Sequence, residues 1–312
     1  MSAQQREPGL GSLMIGYVLL GLQPLPVAML KSADVAPEVV VAARFAIAAV
    51  AILLICVIRG TGLKTAQPKV LVLRGLLGGG AVLLYFTAIH EAGAARATLL
   101  NYTYPIWANL FAWRLGQKPS RAYWLGLSVA LCGLWLVVKP ADGWGGGGIG
   151  YGELAALGSA VLAGGAVVTI KQLRTTDESL TIIAAFSFFG LMLSAPFVST
   201  TELIPLTGTN ALSLALLVGL VAFLGHVYFT RGYRGASVEH ATILSLTVPL
   251  VAALGGIVLL GEAFSARLLI GGAMILLASC ITLGARGTAR KQARVEAASR
   301  TFPAAPTRPA KP

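Results

Sequence analysis

What most constrains this chain is a succession of apolar stretches, each close to the length of a membrane-crossing helix. About 20 apolar residues carry an α-helix through the hydrocarbon core. Ten stretches meet that requirement: 11–30, 36–58, 71–91, 96–115, 122–139, 150–171, 179–199, 211–231, 238–260 and 266–285. Turn or polar residues separate them, such as Lys31-Ser32-Ala33-Asp34, the run from Arg59 to Lys69, Gly116 to Ser120 and the glycines at 143–148. Of the 312 residues, 56% are hydrophobic and only 12% charged, against about 25% charged in a soluble domain. Mean hydropathy is +0.79. In lipid every backbone polar group must find a partner inside the protein, which favours helices as spanning elements. The expected fold class is an all-α membrane protein of ten transmembrane helices. The first run is expected to be retained as a span, because only Arg6 precedes it and no small-residue cleavage site follows.

The net charge of +12 would suggest nucleic acid in a soluble protein. Here the basic residues lie between apolar stretches and in the last 27 positions, with no compact basic domain, so no nucleic-acid partner is expected. They read instead as an orientation signal. With a cytoplasmic N-terminus, 19 of the 24 Lys and Arg fall on the cytoplasmic side, Arg74 among them. Four fall on the other side (Lys31, Arg96, Lys139, Arg267), and Arg44 lies within a span. Both termini are then cytoplasmic, as an even number of spans requires. The Arg-, Ala- and Pro-rich tail is expected to be disordered. Cys56, Cys132 and Cys280 sit in apolar stretches without CxxC spacing, so neither a disulfide framework nor a zinc site is expected. No metal or cofactor is implied.

The two halves of the chain resemble one another. Tyr85-Phe86-Thr87 recurs as Tyr228-Phe229-Thr230. The stretch Ala97-Thr98-Leu99-Leu100, followed by Asn101-Tyr102-Thr103-Tyr104-Pro105, recurs as Ala241-Thr242-Ile243-Leu244, followed by Ser245-Leu246-Thr247-Val248-Pro249. Leu115-Gly116-Gln117 is matched by Leu260-Gly261-Glu262. Each unit holds five spans. Five is odd, so the second unit enters the membrane from the opposite side, giving inverted repeats, an arrangement common among transporters. The expected organisation is a cytoplasmic segment at 1–10, a first repeat at 11–139, a linker at 140–149, a second repeat at 150–285 and a basic tail at 286–312.

On the two Ala-Thr-(Leu/Ile)-Leu stretches ending at Pro105 and Pro249, and on Leu260-Gly261-Glu262-Ala263, the chain resembles the drug/metabolite transporter superfamily in its ten-helix, two-EamA-domain form. The resemblance covers 11–285. The aromatic before Pro105 is similar to the amino-acid exporter branch. That resemblance implies a multi-pass protein of the cytoplasmic membrane, monomer or homodimer, that moves a small molecule outward. The chain departs from the family pattern in two places. Gly21-Leu22-Gln23-Pro24 stands where a Trp-Gly pair is frequent, and the sixth span has no aromatic between Leu154 and Ile170.

The matched prolines locate the expected site. A helix-interior proline removes one hydrogen bond and kinks the helix, here freeing the carbonyls of Asn101 and Ser245. Paired interruptions at corresponding positions point to a transport site. At helical spacing, Thr98, Asn101, Tyr102, Pro105 and Asn109 share a face, and Thr242, Ser245 and Pro249 form its counterpart. Both faces are expected to line a central cavity, with Tyr85, Tyr228 and Gln23 contributing, while Tyr104 and Trp107 lie off the stripe. Arg44, costly inside a membrane, reads either as a carboxylate ligand or as a residue satisfied by helix-end carbonyls. His226 is the candidate proton carrier. No Asp or Glu lies mid-span, so coupling through a buried carboxylate is not expected. An amino acid or similar zwitterion is the expected substrate. A drug-like organic solute is the alternative, and a non-transporting receptor or assembly protein is the alternative from another class. An intramembrane enzyme would need clustered acid, base or metal-binding side chains, and the histidines are scattered.

Overall fold

A computed structural model describes residues 9–31, 33, 35–60, 62–138, 149–199, 201–261 and 265–282. Helices dominate, and no strand occurs among these residues. In chain order they are α1 (Leu10–Leu22), α2 (Pro24–Lys31), α3 (Pro37–Arg59), α4 (Pro68–Ala92), α5 (Ala94–Asn101), α6 (Tyr104–Arg114), α7 (Arg121–Val138), α8 (Tyr151–Leu173), α9 (Ser179–Ser194), α10 (Thr209–Gly232), α11 (Val238–Ser245), α12 (Thr247–Leu260) and α13 (Ala266–Thr282). Eight segments are long and apolar enough to cross a membrane, and α13 is a shorter apolar helix. The stretch expected to span at 96–115 is instead the pair α5 and α6, of 8 and 11 residues. Most of the expected linker, the basic tail and most of the N-terminal segment lie outside the described residues.

Local chemistry explains the helix ends. Pro37 and Pro68 open α3 and α4 in the first turn, where a missing N–H costs nothing. Gly60 closes α3 at φ 61°, and its N–H reaches back to the Cys56 and Val57 carbonyls. Lys171, at the end of α8, donates to the Tyr233 and Ala236 carbonyls at 3.0 and 2.7 Å, satisfying groups that α10 leaves free.

Glycine sets the helix spacing. A Cβ on Gly133 of α7 would lie 2.6 Å from the Gly271 carbonyl of α13, and one on Gly16 of α1 would lie 2.6 Å from the Phe229 nitrogen of α10. Close backbone approach through small residues is how helices associate where lipid gives no hydrophobic drive between them. The largest buried cluster joins α1, α6, α7, α8, α10, α11 and α13 around Tyr17, Tyr123 and Tyr233, all fully buried.

Three spans are interrupted. The first passes from α1 to α2 at Gln23, ahead of Pro24. The fourth breaks at Tyr102-Thr103 and the ninth at Leu246, each about a turn before the matched proline. The interruption therefore precedes Pro105 and Pro249 rather than sitting on them. Both helices restart with the proline in their first turn, where it fits. The two breaks are capped alike. Thr103 Oγ1 donates to the Leu100 carbonyl at 2.7 Å, and its repeat counterpart Thr247 donates to the Leu244 carbonyl at 2.7 Å. Ser245 Oγ adds a bond to the Thr242 carbonyl at 2.6 Å.

Candidate functional site

The two breaks are joined by one buried polar network. Asn109 of α6 is 1% exposed. Its Nδ2 lies 2.9 Å from the Pro105 carbonyl, 2.6 Å from the Tyr123 hydroxyl and 3.0 Å from Thr242 Oγ1. An amide nitrogen has two hydrogens for these three acceptors, so the Tyr123 hydroxyl supplies the balance. It lies 3.0 Å from Thr242 Oγ1 and 3.3 Å from the Pro105 carbonyl. Thr242 passes its own proton to the Val238 carbonyl at 2.8 Å. Pro105, Asn109 and Thr242 thus meet in one network, and Ser245 and Pro249 are buried further along α11 and α12. Tyr123 of α7 completes the network.

The rest of the expected stripe faces elsewhere. Thr98 Oγ1 meets the Tyr85 hydroxyl at 2.8 Å. Asn101 donates to Ser159 Oγ of α8 at 2.7 Å, and Ser159 in turn donates to the Ala81 carbonyl of α4 at 2.7 Å. The break at Tyr102-Thr103 interrupts the helical register, so residues before and after it do not share one face. Tyr102 is half-buried, 6.1 Å ring to ring from Tyr104. Tyr104, expected off the stripe, is buried in the central cluster. Trp107 packs on Gly164, as expected of a packing residue. Tyr228 is half-exposed, and only its carbonyl is engaged, by Ser12 at 2.7 Å. Its neighbour Phe229 is the residue that faces Tyr17 and Tyr233. Gln23 is buried at the α1–α2 junction.

A second cluster lies where α3, α4, α9 and α10 meet. Arg44 is 7% exposed and Arg74 3%. Arg74 is therefore a buried span residue rather than a surface cation, because Pro68 starts α4 early and places Arg74 about 9 Å along its axis. Its guanidinium lies 4.5 Å from the Phe186 ring centroid, and Arg44 lies 5.1 Å from Phe45. Phe186 also packs on Phe45 at 5.1 Å and on His226 at 4.7 Å. Arg44 Nη2 stands 3.4 Å from His226 Nε2. A guanidinium has no acceptor, so this long contact requires a neutral imidazole with its proton on Nδ1. In that tautomer His226 acts as an acceptor for Arg44. Neither arginine meets a carboxylate among the described residues.

This cluster borders a small hollow of about 10 Å³ lined by Arg44, Ser187 and His226 among others. Along the same helices toward Arg59 and Arg231 lies an open cleft of about 490 Å³, whose wall includes Arg59, Arg174, Arg231 and Arg234. Phe223 borders both, and Ala48, Ile52 and Ile183 pack with it as an apolar plug. Where the cleft meets the loops, Asp177 accepts from the Ala66 N–H at 3.0 Å and from the hydroxyls of Thr65 and Thr176. Burial would raise its carboxyl, but these bonds outweigh it and hold it below the usual carboxylate range.

The description "EamA-like transporter family" matches this sequence twice, over residues 9–139 and 150–284. The chain belongs to that family. It is 32% identical over 246 residues to the pseudopaline exporter CntI of Pseudomonas aeruginosa (strain UCBPP-PA14), covering 77% of this chain and 83% of that protein. It is 28% identical over 222 residues to the uncharacterized transporter YwfM of Bacillus subtilis (strain 168), covering 69% and 72%. A protein of known crystal structure shares the fold with a TM-score of 0.74 at 23% identity, over 90% of this chain and 99% of that one. The chain is thus a multi-pass membrane transporter of small solutes and not an enzyme. Among the described residues, no group of three or more His, Cys, Asp or Glu could hold a metal ion.

Sequence reasoning missed Arg74, Phe186, Tyr17, Tyr123 and Tyr233. For Arg74 a signal was present. Pro68 marks the helix start, and Gly78 one turn on leaves the space that the guanidinium fills, since a Cβ there would lie 1.8 Å from Nη1. The tyrosines carry no comparable local signal.

Proposed function

We propose that this chain is a secondary transporter of the cytoplasmic membrane that exports a small metabolite, an amino acid or similar zwitterion. It works by alternating access between two inverted five-helix repeats, 11–139 and 150–285, with both termini cytoplasmic. The observation that carries this reading is the matched pair of helix breaks, each capped by a repeat-related threonine and joined through Asn109 and Thr242. Interrupted helices at equivalent positions give a transporter backbone groups that exchange partners as its halves rock. The exporter name of the Pseudomonas relative supports outward movement of a small metabolite. The basic residues gathered at one set of helix ends support the orientation.

Purified protein in proteoliposomes preloaded with unlabelled amino acids is expected to accumulate the labelled counterpart by exchange, and Asn109→Ala or Thr242→Ala to slow that flux at least severalfold. Folded protein that exchanges no amino acid or related metabolite would overturn the reading.

A further inference from the structure

We infer that Arg44, Arg74 and His226 form a binding centre for the carboxylate of the transported solute, so that the solute carries more carboxylates than amines. This rests on the transport reading above and names the chemistry of its substrate.

The argument begins with an excess of donors. Arg74 Nε and Nη1 and His226 Nδ1 are sealed from solvent, and each lacks a hydrogen-bond partner. Arg44 spends one N–H on a long contact to His226 Nε2, which leaves the imidazole's proton on the unpartnered Nδ1. Every one of these groups donates, and beside them only the unpartnered Ser187 hydroxyl could accept. Buried polar groups are almost always paired, and orphans call for an explanation such as an absent ligand. Two buried cations without a counter-charge are costlier still. The Phe45 and Phe186 ring faces offer them only partial compensation. A carboxylate supplies two oxygens with about four acceptor sites and one negative charge. It would give the donors acceptors and offset one of the two charges at once.

The surroundings agree. Phe186 meets both Arg74 and His226, so the two side chains pack against one ring. Gly78 leaves the room in which the Arg74 guanidinium lies. The cleft leading toward this spot is walled by four further arginines against two carboxylates, Asp177 and Glu178, a net positive approach. An ammonium group finds no such reception, since neither guanidinium cluster residue faces a carboxylate among the described residues.

The test uses the full-length protein in lipid nanodiscs and a matched probe set of glutarate, glutamate, glutamine and glutaramide, with inorganic phosphate as a separate arm. Ligands of the folded state raise the unfolding temperature by mass action. Glutarate and glutamate are expected to raise it, and glutaramide to leave it unchanged. Arg44→Gln and Arg74→Gln are each expected to weaken the glutamate response by at least about tenfold, the least that loss of a charge-assisted hydrogen bond gives. Folding is controlled by Arg74→Met, which without ligand is expected to unfold at the wild-type temperature or above, because it removes an unpaired buried charge. The inference is overturned if glutaramide stabilises as well as glutamate, if no carboxylate stabilises, if only phosphate does, or if Arg74→Met collapses the fold. Carboxylate-dependent stabilisation in a protein that carries out no exchange would leave the centre standing and remove the transport reading. Exchange of neutral solutes that is indifferent to both Gln variants would do the reverse.

Discussion

Replacing Thr242 by Val tests the network that joins the two helix breaks. The side chains have the same shape, so packing is kept and only the hydroxyl is lost. That hydroxyl is fully buried and meets Asn109 Nδ2 and the Tyr123 hydroxyl, each at 3.0 Å from another helix. Side-chain hydrogen bonds between membrane helices average about 0.6 kcal/mol and reach about 1.7. Two of them amount to about 1 kcal/mol, with about 3 as the ceiling. The lower value is expected, because the survivors keep partners: Asn109 retains the Pro105 carbonyl at 2.9 Å and the Tyr123 hydroxyl at 2.6 Å. Asn109→Asp has no such relief. It turns a donor into a charged acceptor 2.9 Å from the Pro105 carbonyl, at a position 1% exposed, and a buried uncompensated charge costs about 3–5 kcal/mol. Reversible unfolding in mixed micelles measures both variants, and a double-mutant cycle with Tyr123→Phe isolates the coupling. A Thr242→Val change below about 0.3 kcal/mol together with a wild-type-like Asn109→Asp would refute the network's role.

Two further perturbations follow from the packing and the loops. Gly190→Ala would place a Cβ 2.4–2.6 Å from the Phe45 ring, and the forced shift is expected to cost about 1–3 kcal/mol by the same unfolding assay. Asp177 is held below the usual carboxylate range by its hydrogen bonds, so its contribution is full above its unfolded value of about 3.9 and is lost as pH falls through the lower folded value. Asp177→Asn is therefore expected to be less stable than wild type at pH 7 and indistinguishable from it in strong acid. A deficit that persists in acid would contradict that assignment.

Eight of the ten expected spans were legible because a membrane crossing imposes length and apolarity on contiguous residues, and the twofold family match falls on the two stretches that keep the same letters around Pro105 and Pro249. The partition of the expected stripe was not legible. Helical spacing from Thr98 to Asn109 assumes an unbroken helix, whereas the freed backbone of Tyr102-Thr103 turns Thr98 and Asn101 toward α4 and α8. Tyr123 and Tyr17 were hidden for another reason. Their partners, Thr242 and the Ala241 carbonyl, lie 119 and 224 positions away, and nothing in the local sequence distinguishes a tyrosine that reaches such a partner from one that packs. Arg74 was misread because its place near a helix start resembles that of the loop cations on either side. Tyr228 was overvalued because its repeat match to Tyr85 preserves the letter and not the facing.

The claim on which the rest depends is that the region between the two repeats opens to each side of the membrane in turn. Ser187 probes it most directly: it is 1% exposed, its hydroxyl has no partner among the described residues, and it borders the hollow beside Arg44 and His226. With Cys56, Cys132 and Cys280 changed to Ser, Ser187→Cys can be labelled in sealed vesicles by a small membrane-impermeant thiol reagent applied from either face. The account predicts labelling from both faces, slowed from both by a transported solute. Labelling from one face alone, or from neither in a folded and transport-competent protein, would contradict it.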